Sequence, residues 1–131
     1  MTNAVTVLAV DDQAIFLRTV AGLVAATPGF EQVGEASSGP EALELAARLE
    51  PDLVLLDVRM PGMDGIETAQ RLAESGATCV VVLISIDELP DVPWPGAAAH
   101  VRKKDLSVLA LRRLWDVHGR GARDRSGLPR R

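Results

Sequence analysis

Asp57 closes the apolar run Leu53-Val54-Leu55-Leu56, and Asp11 and Asp12 close another, Val5-Thr6-Val7-Leu8-Ala9-Val10. An ionised carboxylate at the mouth of a buried core is costly unless a cation or fixed donors meet it. Three of them at the ends of two such runs point to a metal site rather than to surface decoration. Hard divalent cations prefer oxygen ligands, and Mg²⁺ commonly takes one or two carboxylates with water and a substrate phosphate. Asp12 and Asp57 can supply direct carboxylates, and Asp11 can hold a metal-bound water. Without the ion, the like charges raise one another's pKa values, so metal affinity should fall as pH drops through their titration range. Asp57 ends an otherwise apolar strand, which makes it the candidate nucleophile: a carboxylate can attack phosphorus to give an acyl phosphate. The phosphoryl oxygens then need a cation, an ammonium and a hydroxyl or amide donor. Mg²⁺, Lys103 and Ser85 meet those needs.

These residues must be positioned by strands and helices in alternation. Val5–Val10, Phe30–Ala36, Leu53–Asp57, Thr78–Ile84 and Ala97–Val101 read as strands, the second half-polar and suited to a sheet edge. Between them, Phe16, Val20, Leu23 and Val24 fall at helical spacing, as do Ala42, Leu45, Ala46 and Leu49, and then Ile66, Ala69, Leu72 and Ala73. Ser107 opens a last helix carrying Val108, Leu111, Leu114 and Trp115, and Gly119 ends it. Strands separated by helix-length crossovers imply parallel pairing through right-handed βαβ units. All strand carboxyl ends then share one edge, where ligands bind in such sheets. Asp11, Asp12, Ser37, Ser38, Asp57, Ser85 and Lys103 are expected there.

At 131 residues with a net charge of −4 and 47% hydrophobic content, the chain reads as one ordinary globular domain. Nothing in that balance favours nucleic acid or lipid. No apolar stretch reaches the roughly 18 residues needed to span a bilayer, and the first residues lack a basic leader, so a cytoplasmic protein is expected. The single Cys79 sits in an apolar run and is expected to be an inert core thiol.

The motifs resemble those of the receiver domains of bacterial two-component response regulators, over about residues 5–118. The matching parts are Val-Asp-Asp at 10–12, Leu-Leu-Asp-Val-Arg-Met-Pro-Gly-Met-Asp-Gly at 55–65, Leu-Ile-Ser at 83–85 and Val-Arg-Lys at 101–103. The middle motif and the start of the last helix are similar to those of NarL/LuxR-type regulators. The resemblance implies a doubly wound five-stranded parallel sheet, flavodoxin-like, in the order 2-1-3-4-5. It also implies Asp57 as phosphoacceptor, Asp11 and Asp12 as the acidic pair, the Arg59 backbone carbonyl as a metal ligand, Ser85 as switch hydroxyl and Lys103 rather than Lys104 as phosphate partner. Implied partners are a sensor histidine kinase, a downstream protein and a homodimer mate, with Mg²⁺ as cofactor. Direct DNA binding is not expected, because the short polar stretch after residue 118 cannot form the DNA-binding domain of those regulators, and no membrane binding is expected either.

The chain departs from the family pattern in three places. Prolines at 90, 93 and 95 forbid a regular helix in the crossover after Ser85, so the fourth crossover helix is expected to be shortened or absent, with Trp94 covering the sheet. His100 stands where the family carries an aromatic switch residue. After residue 118 only an arginine-rich stretch, 119–131, remains, expected to be a disordered tail beyond a receiver unit of residues 1–118. Arg59 and Asp87 would flank the acceptor, either as an ion pair or as separately solvated charges.

The expectation is thus a stand-alone receiver whose chemistry is limited to its own phosphorylation and dephosphorylation. One rival is a degenerate receiver acting as a phosphorylation-independent interaction module. Another is an aspartyl-nucleophile phosphatase. The haloacid-dehalogenase-like kind needs a second acid two residues after the nucleophile, where Arg59 stands. A dinucleotide-binding fold lacks its glycine-rich turn, since Asp11-Asp12-Gln13 occupies that place.

Overall fold

The computed structural model describes residues 4–119. The expected arginine-rich tail therefore lies, from residue 120 on, outside the described residues. Strands β1 (Val5–Val10), β2 (Phe30–Ala36), β3 (Leu53–Asp57), β4 (Val80–Ser85) and β5 (Ala99–Arg102) form a parallel sheet in the order β2-β1-β3-β4-β5. This is the flavodoxin-like order the motifs implied. Among the described residues four α-helices accompany it: α1 (Ala14–Ala25), α2 (Gly39–Leu49), α3 (Gly65–Glu74) and the short α4 (Val108–Leu114), which follows β5 and continues into a wider turn at Trp115–Gly119.

Apolar continuity along β3 and β4 reflects burial of every residue on both faces. The pleat sends alternate side chains to opposite layers. Val7, Ala9, Leu55, Val82 and Ile84 meet Leu17, Val20 and Val24 of α1 and Leu111 of α4. Leu8, Val10, Leu56 and Leu83 meet Ala42 and Ala46 of α2 and Ala69 and Leu72 of α3. Side chains cap three helices: Ser38 accepts from the Glu41 N–H at 3.2 Å, Asp64 from Glu67 at 2.8 Å and Ser107 from Ala110 at 3.0 Å.

The fourth crossover holds turns and no helix between Ser85 and Ala99. Its prolines remove donors, and the segment finds other ways to cover the sheet. Leu89, Trp94 and Ala97 pack on the core layer shared with α3, and the Trp94 indole donates to the Pro90 carbonyl at 3.3 Å. Gly96, at φ +83, lies so close to α3 that a Cβ there would collide with the Ala69 carbonyl oxygen. Ala97 is held in a turn by its bond to the Trp94 carbonyl, so β5 starts at Ala99 rather than at the expected residue 97. The β4 ladder begins where Val80 donates to the Asp52 carbonyl, two residues later than expected, and Ser85 becomes its last residue. Cys79 is accordingly half-buried beside the strand, and burial still pushes its thiol pKa up.

Candidate functional site

The carboxyl ends of β1, β3 and β5 bring Asp11, Asp12, Asp57 and Lys103 together, with Ser85 closing β4 at the same edge. The expected Ser37 and Ser38 are instead taken up by hydrogen bonds with Glu41 at the start of α2. Asp11 directly follows β1. Its N–H donates to the Ala36 carbonyl at 3.0 Å, and its Oδ1 accepts from the Gln13 N–H at 2.8 Å, which fixes the carboxylate. Asp57 is the last residue of β3 and is 4% exposed. The next residue, Val58, continues the ladder by donating to the Ile84 carbonyl and accepting from Gly65, the first residue of α3. Asp12 is exposed at the rim. Carboxylate oxygens of Asp11, Asp12 and Asp57 lie within 4.8 Å of one another.

Lys103, just past β5, sends its ammonium into this cluster. Nζ lies 2.8 Å from Asp11 Oδ2 and 3.5 Å from Asp57 Oδ1. Lys104 is exposed, so Lys103 is the lysine that reaches the acids. Burial pushes the Asp57 pKa up to about 6; the neighbouring Asp11 charge adds to the rise, and the Lys103 ammonium only partly offsets it. Lys103→Ala should therefore move the Asp57 titration further upward. Lys104→Ala should leave it in place, as a carboxyl-detected NMR titration would show.

Ser85 is buried, and its hydroxyl donates to the Asp87 main-chain carbonyl. The hydroxyl is thus committed to the crossover. Arg59 points outward and pairs with Asp87 at 2.9 Å. Both side chains are largely exposed, so the pair adds at most about 1 kcal/mol. His100 stands apart from this group: its Nε2 lies 4.0 Å from Asp91 Oδ1, on the crossover side of β5. The contact that sequence reasoning missed is Phe16, whose ring centroid is 4.2 Å from Lys103 Nζ. Helical spacing marks Phe16 only as an inward residue and gives no sign of a charge above it.

A hard divalent ion fits this donor set. The donors are carboxylate oxygens, and Asp11 Oδ2 is buried with no hydrogen bond, held only by the ion pair with Lys103.

The family model for the response regulator receiver domain matches residues 7–103. The chain belongs to the response regulator receiver family. Over 81 residues the receiver is 42% identical to the nitrate/nitrite response regulator protein NarL of Escherichia coli strain K12, covering 62% of this chain and 38% of that protein. It is 44% identical to protein-glutamate methylesterase/protein-glutamine glutaminase 4 of Geobacter metallireducens, covering 86% of this chain and 38% of that one. Its fold superimposes on the signal receiver domain of the response regulator NarL from Mycobacterium tuberculosis with a TM-score of 0.82 at 32% identity, covering 91% of this chain and 98% of that one. The receiver thus spans 38% of the length of both curated relatives. Among its described residues, no helix is long and apolar enough to cross a membrane.

Proposed function

We propose that this receiver accepts a phosphoryl group on Asp57 from the phosphohistidine of a sensor histidine kinase, and that the modification switches its contacts with a downstream protein. The observation that carries the reading is the Lys103 ammonium set between Asp11 and Asp57 beside a third carboxylate. Asp11, Asp12, Asp57 and the Arg59 main-chain carbonyl would hold Mg²⁺. When bound, the ion supplies fixed positive charge that screens carboxylate and phosphoryl oxygens from one another.

An Asp57 carboxylate oxygen attacks phosphorus, the P–N bond of the donor breaks, and its electron pair stays on the leaving imidazole. Attack requires the ionised carboxylate, and an Asp57 pKa of about 6 leaves that form dominant at pH 7 and above. Lys103 then pairs with the new phosphoryl oxygens. Ser85 must give up its bond to the Asp87 carbonyl to donate to them, which ties the modification to the helix-free crossover. In this reading the receiver's chemistry is confined to its own acyl phosphate, and the methylesterase activity named for one relative is not assigned to it.

The test is mass spectrometry after incubation with Mg²⁺ and a small acyl phosphate. The parent should gain one phosphoryl group, Asp57→Asn should gain none, and EDTA should suppress the gain. Equal modification of Asp57→Asn, or indifference to EDTA, would sink the mechanism. A folded parent that gains nothing would favour a phosphorylation-independent interaction module.

A further inference from the structure

The Lys103 ammonium rests in a nearly closed setting, with 17% of the side chain exposed. Carboxylates account for two of its sides, Asp11 Oδ2 at 2.8 Å and Asp57 Oδ1 at 3.5 Å. The Phe16 ring closes a third side at 4.2 Å from its centroid. Phe16 sits in the first turn of α1, where Gln13, Ala14 and Ile15 are exposed. Without the ring, that side of the ammonium would open toward the solvated start of the helix. Phe16 also packs on the apolar layer beneath α1, so the core, and not the charge, sets where the ring stands. The negative face of an aromatic ring can replace water around a cation, and an aliphatic side chain of similar bulk cannot.

We infer that Phe16 is a positioning residue for Lys103. Its ring face holds the ammonium at the acids before a phosphoryl group arrives, and keeps water off it. Lysine carries a flexible four-carbon stem and a strongly hydrated charge. A fixed ring on one side and Asp11 on the other restrict both its position and its hydration. The kinetic consequence rests on the reading of Asp57 as phosphoacceptor; the contact itself does not.

Three variants test this: Phe16→Leu, which keeps an apolar side chain and removes the ring; Phe16→Tyr, which restores the face; and Phe16→Leu combined with Lys103→Ala. NMR should find the Lys103 ε-methylene protons shifted upfield by the ring in the parent and in Phe16→Tyr, but not in Phe16→Leu. Phosphorylation by a small acyl phosphate should slow about tenfold in Phe16→Leu, the loss expected for a desolvated cation–π contact. Phe16→Tyr should stay within about twofold of the parent, and Phe16→Leu should cause no further slowing once Lys103 is Ala. Absence of the upfield shift in the parent would overturn the contact. An unslowed Phe16→Leu, or equal slowing with and without Lys103, would overturn its positioning role alone. A parent that is never phosphorylated would overturn the Asp57 reading and the kinetic role with it, while the proton shift would still report the contact separately.

Discussion

Replacing Asp57 by Asn should make the metal-free domain gain stability relative to the parent as pH rises from 4 to 8, by about 2.4 kcal/mol over that range. Burial, then the Asp11 charge, lift the folded-state pKa from 3.8 to about 6, against the pull of Lys103. The folded parent therefore binds this proton more tightly than the unfolded chain. Below pH 3.8 the group is protonated in both states and the raised pKa costs nothing relative to that form. Between 3.8 and 6 stability falls with pH, and above 6 the full penalty of a buried, repelled charge is present. Asparagine carries no such charge, so the difference between variant and parent should open over that window and level off above it. Urea unfolding at a series of pH values, with EDTA present, measures the gap. A constant difference from pH 4 to 8 would show that Asp57 ionises normally. Added Mg²⁺ should stabilise the parent more than the variant above pH 6, because the variant has lost one of the three carboxylates.

Gly65→Ala should destabilise the domain by about 3 kcal/mol, the upper part of the range for overpacking a tight site. Gly65 begins α3, is buried, and donates to the Val58 carbonyl at 2.9 Å. A Cβ there would collide with the carbonyl oxygen of Asp57 itself, a main-chain atom of the last β3 residue. No side-chain rotation relieves that contact, so either the start of α3 or the end of β3 must move. Better helix propensity returns at most about 1 kcal/mol, which leaves the net sign destabilising. The collision falls on the acceptor's own backbone, so phosphoryl uptake should fall as well. Gly22→Ala is the control: it lies in α1 with nothing within 4 Å of an added Cβ, and should gain up to about 1 kcal/mol. Chemical denaturation of both variants checks the pair; a Gly65→Ala domain within about 0.5 kcal/mol of the parent would remove the close-approach argument.

Much of the site is legible in the chain because local rules place it there. Short apolar runs ending in Asp11 and Asp57 read as buried strands, the alternation with helices sets their acids at one edge, and prolines at 90, 93 and 95 deny the crossover its helix wherever it lies. The strand order required the family resemblance, since alternation of strands and helices fits several orders equally well.

Other features depend on which segments meet. Helical period offered Val20, Leu23 and Val24 for the core; Val20 and Val24 are buried, but Leu17 joins them where Leu23 stays only half-buried. Spacing left Arg59 and Asp87 either paired or separate, and they pair because β3 and β4 are neighbours, with Asp57 in register with Ile84, so the segments leaving them run side by side. Adjacent lysines are equivalent along the chain. Where β5 ends and the following turn begins decides that Lys103 points at the acids while Lys104 faces solvent. Phe16 looks like core in any local reading, and becomes a partner for charge only because α1 and the end of β5 approach the same strand edge. Periodicity decides which way a side chain faces within its own element; the charge or ring it meets belongs to another element, and only packing brings the two within reach.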